Sequence, residues 1–377
     1  MDRRGFLNGA MLAAMLWPLG VRQVGAQEPT GRRRLVVGQT VDLSGVMQNI
    51  GRDYFTGAKL AFDQANQGGG AGGRLIQFVQ MDDGGDPAGA VANAGKLIES
   101  VGADVLFGLS SEACVEAVSQ CAAFRHSDVE IFAPLSGVDH PGAKGRVVYL
   151  RPSSADEMKL VLKRLTFMSL TRLAILHTET PSMIATRDAA LGGLAELNIE
   201  RPRSYVLKDG ASNARSLIEA IARDRIQAVV IMSDAFSAGL LLQQLRVQNP
   251  ALFVCLGSMV DVSTVYQILG QSLSNGVMVS RAVPDPSNTL IPVVANFKRI
   301  LARYMDEAPS SAGLEGFIAA QTLLAVLRKT DNPRQLASAA RNRVGALDLG
   351  GWTVNLANNR ASGRIEISML TRDGRLI

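Results

Sequence analysis

Leu35-Val36-Val37-Gly38 opens the pattern that decides the fold. This short apolar run reads as a buried strand. From Arg52 to Gln67, apolar residues then fall at Tyr54, Ala58, Ala61, Phe62 and Ala65, which is helical spacing. Leu75 to Met81 reads as a second strand. Asp86-Pro87 follows, supplying an N-cap and a first-turn proline for a helix running to Val101. The same alternation continues through strand Asp104–Phe107, helix Glu112–Phe124, strand Glu130–Phe132 and strand Val147–Leu150.

A second series repeats it. Helices Ala155–Met168, Met183–Leu197, Asn213–Arg223 and Phe236–Val247 alternate with strands Leu173–Leu176, Ser204–Leu207, Ala228–Met232 and Phe253–Leu256. Such alternation implies parallel sheets with helices on both faces, and two series imply two doubly wound α/β lobes. Beyond Asp285-Pro286 come two long helices, near Thr289–Tyr304 and Ala312–Lys329. Two strand-like segments close the chain, Trp352–Leu356 and Arg364–Leu370. No low-complexity linker separates the series, so several crossings of the chain are expected to join the lobes.

The N-terminus carries a different signal. Met1-Asp2-Arg3-Arg4-Gly5-Phe6-Leu7-Asn8 precedes an uncharged apolar run from Gly9 to Val21 and then Val24-Gly25-Ala26. A basic start, a short apolar middle and a small-residue site make an export signal, with cleavage expected after Ala26. The paired arginines resemble the twin-arginine type. The apolar run is shorter than the roughly 20 residues of a spanning helix, so a soluble periplasmic protein of about 350 residues is expected.

Composition excludes some functions. Aromatic residues are 5% of the chain, too few for stacking platforms that bind carbohydrate or single-stranded nucleic acid. Net charge is +5, of which the first 26 residues supply +2 (Arg3, Arg4 and Arg22 against Asp2). The remainder is too small and dispersed for a nucleic-acid partner. Of three cysteines, Cys114 and Cys121 are too far apart on one helix to pair. A bond from Cys255 to either stays open.

Gly68-Gly69-Gly70-Ala71-Gly72-Gly73 follows a helix and precedes a strand, the reverse of a phosphate-binding loop, and reads as a helix stop and turn. Asp82, Asp83 and Asp86 lack a nearby histidine, and Asp86 serves as a cap, so no metal is expected. His126, His140 and His177 lie in different connections with no serine–histidine–acid spacing, so no enzyme and no cofactor are expected. Repeated small polar residues after the first-lobe strands are more informative: Leu43-Ser44-Gly45, Gly108-Leu109-Ser110-Ser111 and Pro134-Leu135-Ser136-Gly137. Open parallel sheets bind ligands at the carboxyl ends of their strands. Ser110 and Ser111 also stand at a helix N-terminus, which favours an anion such as a carboxylate.

Taken together these segments resemble the type I periplasmic solute-binding proteins of the leucine/isoleucine/valine-binding kind. The resemblance runs through Val37-Gly38-Gln39, Leu43-Ser44-Gly45, Gly51, Gly57 to Ala61, Asp82-Asp83, Asp86-Pro87, Gly108 to Ser111, Ala133 to Gly137 and Leu314 to Ala320. It implies two lobes joined by three crossovers, with lobe 1 at 33–151 plus 281–333 and lobe 2 at 152–280 plus 334–377. It implies ligand held between them by Ser111 or Ser110, Ser136 and Gly137, with Ser44 in the opening loop and Ile50 where an aromatic often sits. It also implies a monomeric partner of a membrane ABC permease.

The second lobe departs from the family pattern. The usual tyrosine-glycine pair is replaced by His177-Thr178-Glu179-Thr180-Pro181-Ser182-Met183. The loop expected to carry an acid for a ligand ammonium reads Gly257-Ser258-Met259-Val260. A buried ammonium without counter-charge is costly. Either Glu179, Asp234 or Asp261 substitutes, or the ligand is a small carboxylate or another polar organic solute. Ser182 and Ser258 complete the second-lobe candidates. The expected function is the solute-binding component of an ABC importer, with a ligand-sensing subunit of a regulatory system as the alternative on the same fold. Relatives often pair a cysteine near the Asp-Pro turn with one in the next serine loop. Gly85 and Gly108 to Ser111 offer neither, which suits a protein folded in a reducing compartment before export.

Overall fold

The computed structural model describes residues 34–194, 197, 199–358, 360 and 364–377. The export segment expected at 1–26 lies outside them. Lobe 1 begins with β1 (Leu35–Val41), α1 (Gln48–Gln67), β2 (Ile76–Asp82), α2 (Pro87–Gly95), β3 (Val105–Phe107), α3 (Glu112–Gln120), α4 (Ala122–Arg125), β4 (Glu130–Phe132) and β5 (Val147–Val148). Lobe 2 holds α5 (Ser154–Phe167), β6 (Leu173–His177), α6 (Pro181–Gly192), β7 (Arg203–Val206), α7 (Ala214–Arg223), β8 (Ala228–Met232), α8 (Ala235–Gln248), β9 (Phe253–Leu256), α9 (Val262–Ser274) and β10 (Met278–Arg281). Then follow α10 (Pro292–Tyr304), α11 (Ser311–Leu327), α12 (Leu336–Ala339), β11 (Ala346–Asp348), β12 (Thr353–Asn355) and β13 (Glu366–Met369).

The first sheet has the order β2-β1-β3-β4-β5 and is parallel throughout. The second, β13-β10-β9-β8-β6-β7, is parallel except for β13, which runs against β10. The residues explain the burial. In β6, Ala174 and Leu176 enter one core while Leu173 and Ile175 enter the core on the opposite face. In β8, Val229 and Ile231 divide from Ala228, Val230 and Met232 in the same way. A period of two with both faces covered requires an unbroken apolar run, as the sequence has.

The chain crosses between lobes three times: from β5 to α5, from β10 to α10, and between Leu356 and β13. The expected lobe boundary at residue 334 is wrong. Leu336, Ala337, Trp352, Val354 and Leu356 pack into the core of lobe 1, and only β13 joins lobe 2. The alternating pattern of 352–356 identifies a strand but not the sheet it accompanies. The expected helix Glu112–Phe124 breaks at Cys121, whose backbone is extended (φ −68°, ψ 154°). Helix α9 had no counterpart in the sequence reading.

The glycine run is a turn, as its position after a helix implied. Gly70 has φ +83°, and a Cβ there would collide with the Arg74 carbonyl. Across the back of lobe 1, α1 meets α11 through Gly57 and Gly316. A Cβ on Gly316 would strike the Tyr54 carbonyl oxygen, and one on Gly57 the Gly313 carbonyl. The three cysteines are free thiols, which closes the question of a Cys255 bond. Burial pushes the Cys114 thiol up to about 11 and raises that of Cys255 further.

Candidate functional site

The expected site residues fall at the carboxyl ends of both sheets. On lobe 1, the loop after β1 is wound around Asp42, whose carboxylate accepts from the amides of Ser44 (3.2 Å), Gly45 (2.5 Å) and Met47 (2.9 Å). Ser44 is exposed at the rim, and its hydroxyl helps hold the Asp82 carboxyl below the usual range, after the Leu43 amide. Ile50, in the first turn of α1, packs half-buried on the lobe 1 core. Ser110 is fully buried and accepts from the Asp42 amide at 2.9 Å, tying the ends of β3 and β1. Ser111 caps α3, accepting from the Cys114 amide at 3.1 Å. Both hydroxyls act there as acceptors. The first amides of α3 are those a helix leaves without an internal partner.

The loop after β4 contains an arrangement absent from the sequence reading. Ser136 Oγ lies 3.0 Å from His140 Nε2, and His140 Nδ1 lies 2.7 Å from Glu116 Oε2 on α3. This is the order of groups in a nucleophile–base–acid chain. Ser136, however, is fully buried and also accepts from the Val138 amide at 3.3 Å, so the chain holds a turn in shape. Arg360, from the third crossing, stacks 4.2 Å over Tyr149 and pairs with Asp139 at 2.7 Å. It also donates to the Arg151 carbonyl at 3.0 Å. Gly137 accepts from the Ser154 amide at 2.8 Å, and a Cβ on it would run into the Ser154 side chain. This loop is therefore fastened to the first crossing.

On lobe 2, Glu179 is exposed in the β6–α6 connection and Ser182 lies in the first turn of α6. Asp234 caps α8, accepting from the Ser237 amide at 2.8 Å. Asp261 caps α9. Ser258, after β9, gives its amide to Glu157 Oε1 (2.6 Å) and its hydroxyl to Glu157 Oε2 (2.8 Å). Glu157 also accepts from Ser280. The two lobes touch here: Arg151 donates to Ser258 Oγ and to Glu315 Oε2 on α11 (3.1 Å), and Asn49 Nδ2 donates to Asp261 Oδ2 (2.8 Å). The strand ends of the two sheets thus face one another. Burial raises the Glu315 pKa; Arg151 opposes that shift and Glu157 adds to it.

Arg151, Glu157 and Glu315 were not among the expected residues. One signal for them exists. Glu315 is the single charged residue of the 17-residue helix SAGLEGFIAAQTLLAVL, and a lone acid in a buried helix needs a partner.

Residues 35–375 match the family model described as periplasmic binding protein. The chain belongs to that family. It is 25% identical over 306 residues to the Leu/Ile/Val-binding protein of Escherichia coli K12, covering 78% of this chain and 79% of that one. An extracellular ligand-binding receptor from Verminephrobacter eiseniae superposes with a TM-score of 0.83 at 19% identity, over 91% of this chain and 99% of that one. A fatty acid ABC transporter substrate-binding protein from Thermomonospora curvata superposes at 0.75 and 17% identity, over 91% and 90%. Periplasmic binding proteins are ligand binders without catalytic activity, which agrees with the buried state of Ser136.

Proposed function

We propose that this periplasmic binding protein is the solute-capturing component of an ABC importer, taking a small amino acid or organic acid between its lobes in the periplasm and presenting it to a permease. The observation that carries this reading is the opposition of two sets of strand ends, linked by three crossings that let one lobe turn on the other. Ser44, Ile50 and Ser111 present the accessible part of the first wall of the proposed site, with Ser110, Ser136 and Gly137 buried behind them. Glu179, Ser182, Asp234 and Ser258 stand on the second. The Escherichia coli relative is named for branched-chain amino acids and the Thermomonospora neighbour for a fatty acid; both ligand types carry a carboxylate. Ser111, with the first amides of α3, supplies the anion end.

Calorimetric titration with amino acids, aliphatic acids and aromatic acids tests the reading. One class is expected to bind, and folded protein that binds none of them overturns it. For a carboxylate ligand, Ser111→Ala is expected to weaken binding roughly 10- to 100-fold, the loss of a hydrogen bond to a charged group. Ser258→Ala is expected to cost less, because Glu157 already engages that side chain. Equal affinities for all three proteins would refute the anion assignment.

A further inference from the structure

The lobes are joined by their own side chains as well as by the crossings. Arg151 leaves β5 at the first crossing and is almost fully buried. One guanidinium nitrogen donates to Glu315 Oε2 in lobe 1 at 3.1 Å, and another donates to Ser258 Oγ in lobe 2. Ser258 passes its own hydroxyl proton to Glu157 Oε2 at 2.8 Å. The sequence of groups is acid, guanidinium, hydroxyl, acid, so each donor meets an acceptor. Asn49 and Asp261 form a second point of contact at 2.8 Å, and Met259 of lobe 2 packs on the core of lobe 1.

We infer that the Glu315–Arg151–Ser258–Glu157 chain, with Asn49–Asp261 beside it, is a latch between the two lobes made by the protein's own side chains. The inference rests on the two-lobed binding fold but concerns contacts between the lobes and not the solute. The weakest link identifies how it works. Arg151 and Glu315 are opposite charges in a nearly dry site, and a charge-assisted bond of that kind is the strong one. Ser258 is neutral, and both its amide and its hydroxyl are anchored to Glu157 within lobe 2. Separation therefore breaks Arg151–Ser258 and Asn49–Asp261. It leaves Arg151–Glu315 with lobe 1 and Ser258–Glu157 with lobe 2, both intact and ready to rejoin. Buried ion pairs add little net stability but can specify geometry, which is what a latch requires. A ligand then meets a closed–open equilibrium already biased by these side chains, and its apparent affinity depends on that bias.

Spin-label distance measurements on the ligand-free full chain, dialysed exhaustively, test this. Labels at Tyr304→Cys on α10 and Val247→Cys on α8 occupy exposed outer positions on different lobes. Cys121→Ser removes the half-buried native thiol from competition. The parent is expected to give a short-distance population. Ser258→Ala combined with Asn49→Ala is expected to shift the distribution to longer distances. Arg151→Met should shift it in the same direction but less far, because Asn49–Asp261 still joins the lobes. An unchanged distribution in the double variant overturns the latch. That variant keeps the buried charge pair, so a folding failure of Arg151→Met does not decide the outcome. The measurement uses no ligand: a double variant that stays closed refutes the latch and leaves solute binding intact. A chain that opens but binds nothing in the titrations refutes the proposed function alone.

Discussion

Glu116 lies 2.7 Å from His140 Nδ1, and that bond, more than any other cause, lowers its carboxyl below the ordinary glutamate value. A carboxylate whose folded pKa is depressed contributes stability that is present above its unfolded value and lost as pH falls through the folded one. Glu116→Gln should therefore lower the urea midpoint near neutrality and flatten its decline between about pH 5 and pH 3. The side chain is 45% exposed, so the effect should stay below about 1 kcal/mol. Urea midpoints of both proteins across that range check it, and parallel curves would remove Glu116 from the acid limb. At this scale the sequence was partly legible. Asp86 announced itself as a cap because a cap is local. The meeting of Ser136, His140 and Glu116 was not legible, since α3 approaches the loop after β4 only when the sheet is assembled. Ser258 was proposed as a ligand contact from its loop position, yet its bonds to Glu157 and Arg151 depend on two other elements.

Between elements, the tightest constraint is the contact of α1 with α11. Gly57 and Gly316 let the two backbones approach so closely that a methyl group meets a carbonyl oxygen of the facing helix. Backbone cannot move aside as a flexible side chain can. Gly316→Ala should thus destabilise the protein by roughly 1–3 kcal/mol, the usual range for overpacking, even though alanine favours a helix. A thermal melt decides it: a midpoint equal to or above the parent's would show that the helices can separate without loss. Strands and helices of the central part were readable because a strand buried on both faces must be an apolar run, and β6 and β8 are. Helix α9 has readable helical spacing at Val262, Val265, Tyr266 and Leu269, and only its end is interrupted, by Gly270 at φ +66°. The antiparallel pairing of β13 with β10 leaves no local mark at all.

For the whole molecule the decisive feature is the order in which the chain visits the lobes. Lobe 1 is built from residues before Arg151 and from a return that continues as far as Leu356, so its core is complete only after lobe 2 has been made. The final strand then goes back to lobe 2. Neither lobe is a continuous segment, and each lobe's last piece is delivered through a crossing that the other lobe anchors. Alternation in the sequence made two lobes legible; the path between them was not, because residues 336–356 carry nothing that says which core they enter. This interleaving predicts how the protein unfolds. Trp352 is the one tryptophan beyond residue 26, and it is buried in lobe 1. Its fluorescence in the chain starting at Gln27 reports lobe 1 alone, whereas far-ultraviolet circular dichroism reports the helices of both lobes. If each lobe needs the other to bring its last elements home, the two signals should follow one urea transition with the same midpoint and slope. Fluorescence that changes at a clearly different urea concentration from dichroism would mean that lobe 1 holds together independently, and that the crossings and the Arg151 contacts join two self-sufficient units.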